Sequence, residues 1–255
     1  MDVLYRRNAV LEALRGRRRE LHRLWLEEGM AEREALPLLE AAEAREVAVS
    51  RAPRQKLSNL AQDGSHQGAV LEAGPYLYSD HYEMLELAAE RDEKPLLLLL
   101  DLLHGPQNIG ALLRTAEICG VHGVFIQDRR APEITPTVVT YSVGATEHLL
   151  IAQVTNLVRA MRELKERKVW LAGMDLSEEA YALGEMGLDR ALGIVVGHEG
   201  RGMRRLVRET CDFLLRLPMR GRVESFNAAV AGSILIFEAW QARGFPGAGG
   251  NQSSS

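Results

Sequence analysis

The stretch Leu192-Gly193-Ile194-Val195-Val196-Gly197-His198-Glu199-Gly200-Arg201-Gly202 decides how this chain is read. Its first five residues are apolar or small with no polar alternation, the pattern of a strand covered on both faces. The glycines that follow leave open backbone at the strand's exit. In parallel α/β sheets such exits are where ligands bind, and Glu199 adds a carboxylate able to accept hydrogen bonds. Taken alone, the same residues describe a tight turn equally well.

Two further apolar runs end the same way. Leu96 to Asp101 leads to Gly105-Pro106-Gln107-Asn108-Ile109-Gly110, where Pro106 can open a helix that carries Arg114 about one turn beyond Gly110. Leu215-Arg216-Leu217 leads to Pro218-Met219, the basic loop Arg220-Gly221-Arg222, and Glu224-Ser225-Phe226-Asn227 ahead of a long helix. Singly, these are a turn with a surface arginine and a pair of capping groups. The small residues Ala228 to Ser233 call for a close neighbour. Three such exits point to one composite site.

Outward from these stretches, apolar periodicity predicts strands at 96–101, 121–126, 147–151, 168–173, 192–196 and 213–217. Helices are expected at 107–119, near 135–142, and at 154–167, 202–209 and 223–243. Strands separated by helices give a parallel sheet with helices on both faces. The front of the chain alternates at smaller scale. A helix is expected from Asn8, then strand 21–26, helix 32–44, strand 46–50, helix 53–61 and strand 68–72, a small α/β domain. The expected division is 1–75, an acidic connecting segment 76–94 with one helix, a second domain 95–243, and a polar, disordered tail 244–255.

Composition narrows the function. With 255 residues and 46% hydrophobic content the chain can bury real cores. No run approaches the roughly 20 apolar residues of a membrane span, and the N-terminus has no secretory pattern, so a cytoplasmic protein is expected. Cys119 and Cys211 lie far apart without metal-ligand spacing, which reads as buried thiols and no protein-bound metal. The net charge of −4 hides a segregation: residues 76–94 hold six acids against two bases, whereas residues 1–23 hold seven arginines against three acids. Arg6, Arg7, Arg17 and Arg18 are therefore candidate phosphate contacts; a solvated helix end is the plain alternative. No G-x-G-x-x-G opens a helix with an acid about 20 residues on, which argues against a nicotinamide dehydrogenase.

Four ordered stretches together resemble the SpoU/TrmH branch of the SPOUT RNA methyltransferases. They are Asn108-Ile109-Gly110 with Arg114-Thr115-Ala116, Ser142-Val143-Gly144-Ala145-Thr146-Glu147-His148, Gly197 to Gly202, and Pro218 to Asn227. Arg7 to Leu14 and His66-Gln67-Gly68 look like the small RNA-binding domain of the 23S rRNA guanosine methyltransferases, which shorter tRNA-directed relatives lack. The resemblance implies an α/β catalytic domain with a parallel sheet and a deep C-terminal trefoil knot, a rare exception to unknotted topology. It implies S-adenosylmethionine-dependent methylation of a ribose 2′-hydroxyl, in a guanosine of 23S rRNA, by a homodimer without metal. The alternatives are a tRNA ribose methyltransferase and a non-catalytic rRNA-binding assembly or resistance protein of the same fold.

Residue by residue, the resemblance places Arg114 at the target ribose with Asn108, Glu199, Ser225 and Asn227 in support. Gly197, Leu217, Met219, Phe226 and Ala228 are placed around the cofactor. Phe226 stands where leucine is usual, and Gly105 stands where the family has an aspartate before the proline.

Overall fold

The computed structural model describes residues 1–62, 65–128 and 133–249. The chain forms two compact units. The first holds Met1–Tyr78, Ile109–Arg114 and the stretch ending at His148; the second holds Ser79–Asn108, the stretch starting at Thr115, and the chain from Leu149 onward.

The first unit is built on β1 (Asp2–Tyr5), α1 (Arg7–Arg15), β2 (Leu21–Glu27), α2 (Glu32–Glu43), β3 (Ala48–Ala52), α3 (Arg54–Ala61) and β4 (Ala69–Ala73). The sheet runs β1-β4-β2-β3; β4 is antiparallel to both its neighbours and β3 is parallel to β2. Leu57, Ala52 and Val70 are buried between α3 and the sheet. His66 holds the turn into β4: its Nδ1 accepts from Gly68 N at 3.0 Å, so Nε2 carries the proton and faces Ser58 Oγ at 3.2 Å. Asn8 does not cap α1. The helix starts at Arg7, behind Arg6 at φ 74°, with no side-chain cap.

The second unit follows α4 (His81–Glu90), β5 (Leu96–Leu100), α5 (Pro106–Ile118) and β6 (Gly123–Gln127). After α6 (Pro136–Tyr141), which belongs to the first unit, come β7 (Ile151–Val154), α7 (Leu157–Glu166), β8 (Trp170–Met174), β9 (Tyr181–Ala182) and β10 (Leu192–Val196). The last elements are α8 (Arg205–Thr210), β11 (Phe213–Arg216) and α9 (Ala228–Ala242). The seven-stranded sheet has the order β7-β6-β5-β10-β8-β11-β9, and every pairing is parallel. All five leucines of β5 are buried, as a central strand covered on both faces requires. Burying each removes apolar surface worth about 1.5–3 kcal/mol.

Four expectations need correction. The last helix begins at Ala228 rather than 223, because Asn227 Oδ1 accepts from Ala229 N and Val230 N and so caps it. The strand expected at 147–151 starts at Ile151. Gly144, at φ 85°, instead turns Ala145–Glu147 into a single 3₁₀ turn. The helix expected from 154 starts at Leu157, behind the Asn156 cap. Residues 244–249 of the expected disordered tail fold back, with Phe245 edge-on to Trp240 at 4.8 Å and Pro246 O accepting from Trp240 Nε1; residues 250–255 lie outside the described residues. Strands β1 and β9, four and two residues long, escaped the periodicity.

The acidic segment is more than a connection. Its helix α4 carries a capping box, with Asp80 and Glu83 reciprocally bonded, and buries Met84 and Ala88; a Cβ on Gly123 would stand 2.1 Å from Met84 Sδ. Both cysteines are free, and burial pushes the Cys119 thiol up to about 11 and the Cys211 thiol up to about 12. No described helix is long and apolar enough to cross a membrane.

Candidate active site

Above the C-terminal ends of β8, β10 and β11 lies a cavity of about 570 Å³. Its walls come from the loops leaving those strands and from the start of α9. Leu176, Val196, Leu215, Leu217, Phe226 and Ala231 give an apolar side; the backbone of Gly197–Gly202 gives a polar one.

The β10 loop is drawn shut. His198 and Gly202 exchange two backbone hydrogen bonds, at 3.0 and 2.9 Å, and Gly200 and Gly202 take positive φ of 82° and 66°. A Cβ on Gly197 would stand 2.4 Å from both Gly202 C and Met203 N, so only glycine lets the loop close here. Below it, the fully buried Asp101 accepts from Arg204 N and Nε, both at 2.7 Å. This clamp ties the loop to the end of β5.

At the cavity's edge three polar side chains meet, Asn108 from the first turn of α5 and Glu199 and Asn227 from the loops after β10 and β11. Glu199 Oε2 accepts from Asn108 Nδ2 at 2.7 Å, Glu199 Oε1 accepts from Asn227 Nδ2 at 2.8 Å, and Asn227 Nδ2 also reaches Asn108 Oδ1 at 3.1 Å. The orientation of Asn227 is dictated by its backbone role: Oδ1 caps α9, so Nδ2 must face Glu199. Asn108 sits in the first turn of α5, behind Gly105 at φ 85° and ψ 116°. An L side chain rarely adopts that conformation, which accounts for glycine in place of the expected aspartate.

The remaining site expectations fall into place unevenly. Gly197, Glu199, Leu217, Ser225, Phe226, Asn227 and Ala228 all line the cavity. Met219 does not; it is exposed in the loop after β11. Of the three sequence exits only two line the cavity. The one at 105–110 contributes instead through Asn108, and the third wall is the β8 exit, Met174 to Ser177. Burial pushes the Asp175 carboxyl up, but hydrogen bonds from Ser177 and from Arg208 outweigh it and hold the group below the usual carboxylate range. The sequence concealed this exit because Gly173 lies inside the strand and no glycine follows it in Met174–Ser177. It also concealed Asp101, whose one signal is a carboxylate ending a five-leucine strand.

Arg114 is exposed on α5, six residues beyond Asn108, and has no ion-pair partner among the described residues, whereas Arg204, Arg205 and Arg208 are each paired. Of the N-terminal arginines, Arg7 pairs with Glu34 at 2.5 Å and Arg6 donates to Ser65 Oγ at 3.0 Å. Arg17 is exposed and Arg18 half-buried. Arg19, counted in the basic run, is withdrawn from the surface at 4% exposure.

Residues 95–237 match the model of the SpoU rRNA methylase family, and residues 3–79 match that of the RNA 2′-O ribose methyltransferase substrate-binding domain. The chain belongs to the SpoU family. It is 40% identical over 242 residues to YacO of Bacillus subtilis (strain 168), a protein assigned to the TrmH family of tRNA/rRNA methyltransferases, covering 95% of this chain and 96% of that one. Its fold is that of the SpoU methyltransferase AviRb from Streptomyces viridochromogenes, with a TM-score of 0.77 at 21% identity over 95% of this chain and 89% of that one. The TrmH/SpoU tRNA modifying enzyme of A. aeolicus, at 25% identity and a TM-score of 0.55, covers 65% of this chain and 86% of its own.

The protein is thus an RNA 2′-O-ribose methyltransferase, and the cofactor of its family is S-adenosylmethionine. The cavity fits that group. Its volume lies within the roughly 300–1,000 Å³ of small-molecule sites, one side is apolar enough for a base, and backbone groups with two carboxylates line the polar side. Among the described residues no group of His, Cys, Asp and Glu could hold a metal.

Proposed function

We propose that this SpoU enzyme methylates the ribose 2′-hydroxyl of a guanosine in 23S rRNA. The observation that carries the rRNA reading is the substrate-binding domain at residues 3–79; the tRNA modifying enzyme of A. aeolicus covers only 65% of this chain.

When bound, S-adenosylmethionine supplies a methyl group on a sulfonium, an already activated donor. The Gly197–Gly202 loop, Leu217, Phe226 and Ala228 hold that cofactor. The Asn108–Glu199–Asn227 triad fixes the loops against one another and keeps Glu199 oriented beside it. Arg114 positions the ribose and offsets the negative charge that develops on its oxygen. A guanidinium stays protonated in proteins, so its part is charge stabilisation rather than proton removal. The family's knot, formed by the segments after Val196 and Leu217, belongs to the same reading.

The homodimer belongs to it too. Helix α9 is apolar around almost its whole circumference, with Glu238 its only charge, and leaves Val230 and Phe237 exposed one above the other. Sedimentation at micromolar concentration is expected to give twice 28.3 kDa; a monomer would count against the dimer.

Substrate is tested by incubating the protein with labelled S-adenosylmethionine and total RNA, then mapping ribose methylation. Label in 23S rRNA is expected. Label confined to tRNA would replace the rRNA reading, and label in neither would favour a non-catalytic rRNA-binding role.

A further inference from the structure

The Ser142–His148 motif contributes nothing to the cavity or the triad. Two of its side chains, Glu147 and His148, face the N-terminal domain. Glu147, 2% exposed, accepts from Arg19 Nε at 3.1 Å. The Arg19 guanidinium also reaches Asp2 Oδ2 at 2.5 Å and Gly74 O at 3.1 Å, and lies over the Tyr76 ring. His148 Nε2 stands 2.7 Å from Glu12 Oε2 on α1. The backbones approach as closely: a Cβ on Gly16 would stand 2.6 Å from Glu147 O, and one on Gly144 would stand 2.5 Å from Glu12 Cβ.

At its other end the segment meets α5. A Cβ on Gly110 would stand 2.5 Å from Tyr141 Cβ and 2.7 Å from Ser142 N. Gly110 and Arg114 are one turn apart on that helix, and both belong to the compact unit of the N-terminal domain. One short segment thus touches the RNA-binding domain through Gly144, Glu147 and His148, and the arginine-bearing helix through Ser142.

We propose that Ser142–His148 is a relay through which the seated N-terminal domain fixes α5, making Arg19 and Glu147 positioning residues for Arg114. The inference rests on the reading that Arg114 handles the ribose. A buried ion pair adds little net stability over an apolar pair. What it does impose is one geometry, because the arginine fork must meet Glu147, Asp2 and a carbonyl at once. A misplacement of about 1 Å at a reacting group can cost about a hundredfold in rate, so a relay this close-packed can control turnover without touching substrate.

Two full-length variants test it. Gly16→Ala adds a methyl against Glu147 at a residue with φ −71°, where alanine is unstrained. Arg19→Lys keeps the charge and loses the fork. With protein-free 23S rRNA, each is expected to lower kcat about tenfold or more. The S-adenosylmethionine Kd and its calorimetric stoichiometry, and the RNA KM, stay within about twofold of wild type. Stoichiometry reports the folded fraction, so a merely structural lesion would lower it in step with kcat. Unchanged kcat in either folded variant, or a change in KM alone, would overturn the relay. Absence of methylation by the wild-type protein would instead fault the reading of the reaction.

Discussion

At the residue scale the site rests on Asn227, which does two jobs with one amide. Its oxygen caps α9 and its nitrogen donates to Glu199. Asn227→Asp separates them. Aspartate caps a helix as well as asparagine, so α9 keeps its cap, but a second carboxylate then faces Glu199 at about hydrogen-bond distance and the melting temperature is expected to fall by several degrees. A hydrogen bond to a charged group is worth about 1.5–3 kcal/mol, so turnover is expected to fall about tenfold to a hundredfold. Wild-type turnover would remove the triad from the mechanism. Asn227 and Glu199 were legible in the sequence because both follow apolar strands and glycine or proline. Their mutual bond was not, since 28 residues separate them and no local pattern encodes a contact over that distance.

At the element scale, each loop's conformation explains a glycine. Gly197→Ala must part the β10 loop, where the added carbon meets backbone at 2.4 Å. Overpacking costs about 1–3 kcal/mol, so S-adenosylmethionine affinity is expected to drop about tenfold to a hundredfold by calorimetry. Unchanged affinity would move the cofactor elsewhere. Gly105→Asp restores the family's usual residue but forces φ 85° on a side chain. It is expected to cost about 1–3 kcal/mol in denaturant unfolding; a stabilised protein would show that the loop can adopt another path. The parallel strands were legible element by element because burial on both faces leaves unbroken apolar runs such as Leu96–Leu100. The short strands and helix starts were not. They are decided by caps such as Asn156 and Asn227 and by the positive φ of Gly144, which depend on what surrounds them.

At the scale of the whole molecule, the chain's order and its spatial units diverge. Arg114 lies in the middle of α5 yet belongs to the same compact unit as the N-terminal domain, while the cavity and the triad belong to the other. Composition could mark the basic N-terminus and the acidic segment 76–94, but not that Arg19 leaves the basic run to pair with Glu147, 128 residues on. The two substrates thus fall to different residues in the proposed reaction: cofactor to the cavity, ribose to Arg114. Arg114→Ala tests that assignment most directly, with calorimetry of S-adenosylmethionine and methyl transfer to 23S rRNA measured on the same preparation. A cofactor Kd within about twofold of wild type and no detectable transfer are expected. Transfer at the wild-type rate, or loss of cofactor binding together with transfer, would contradict it.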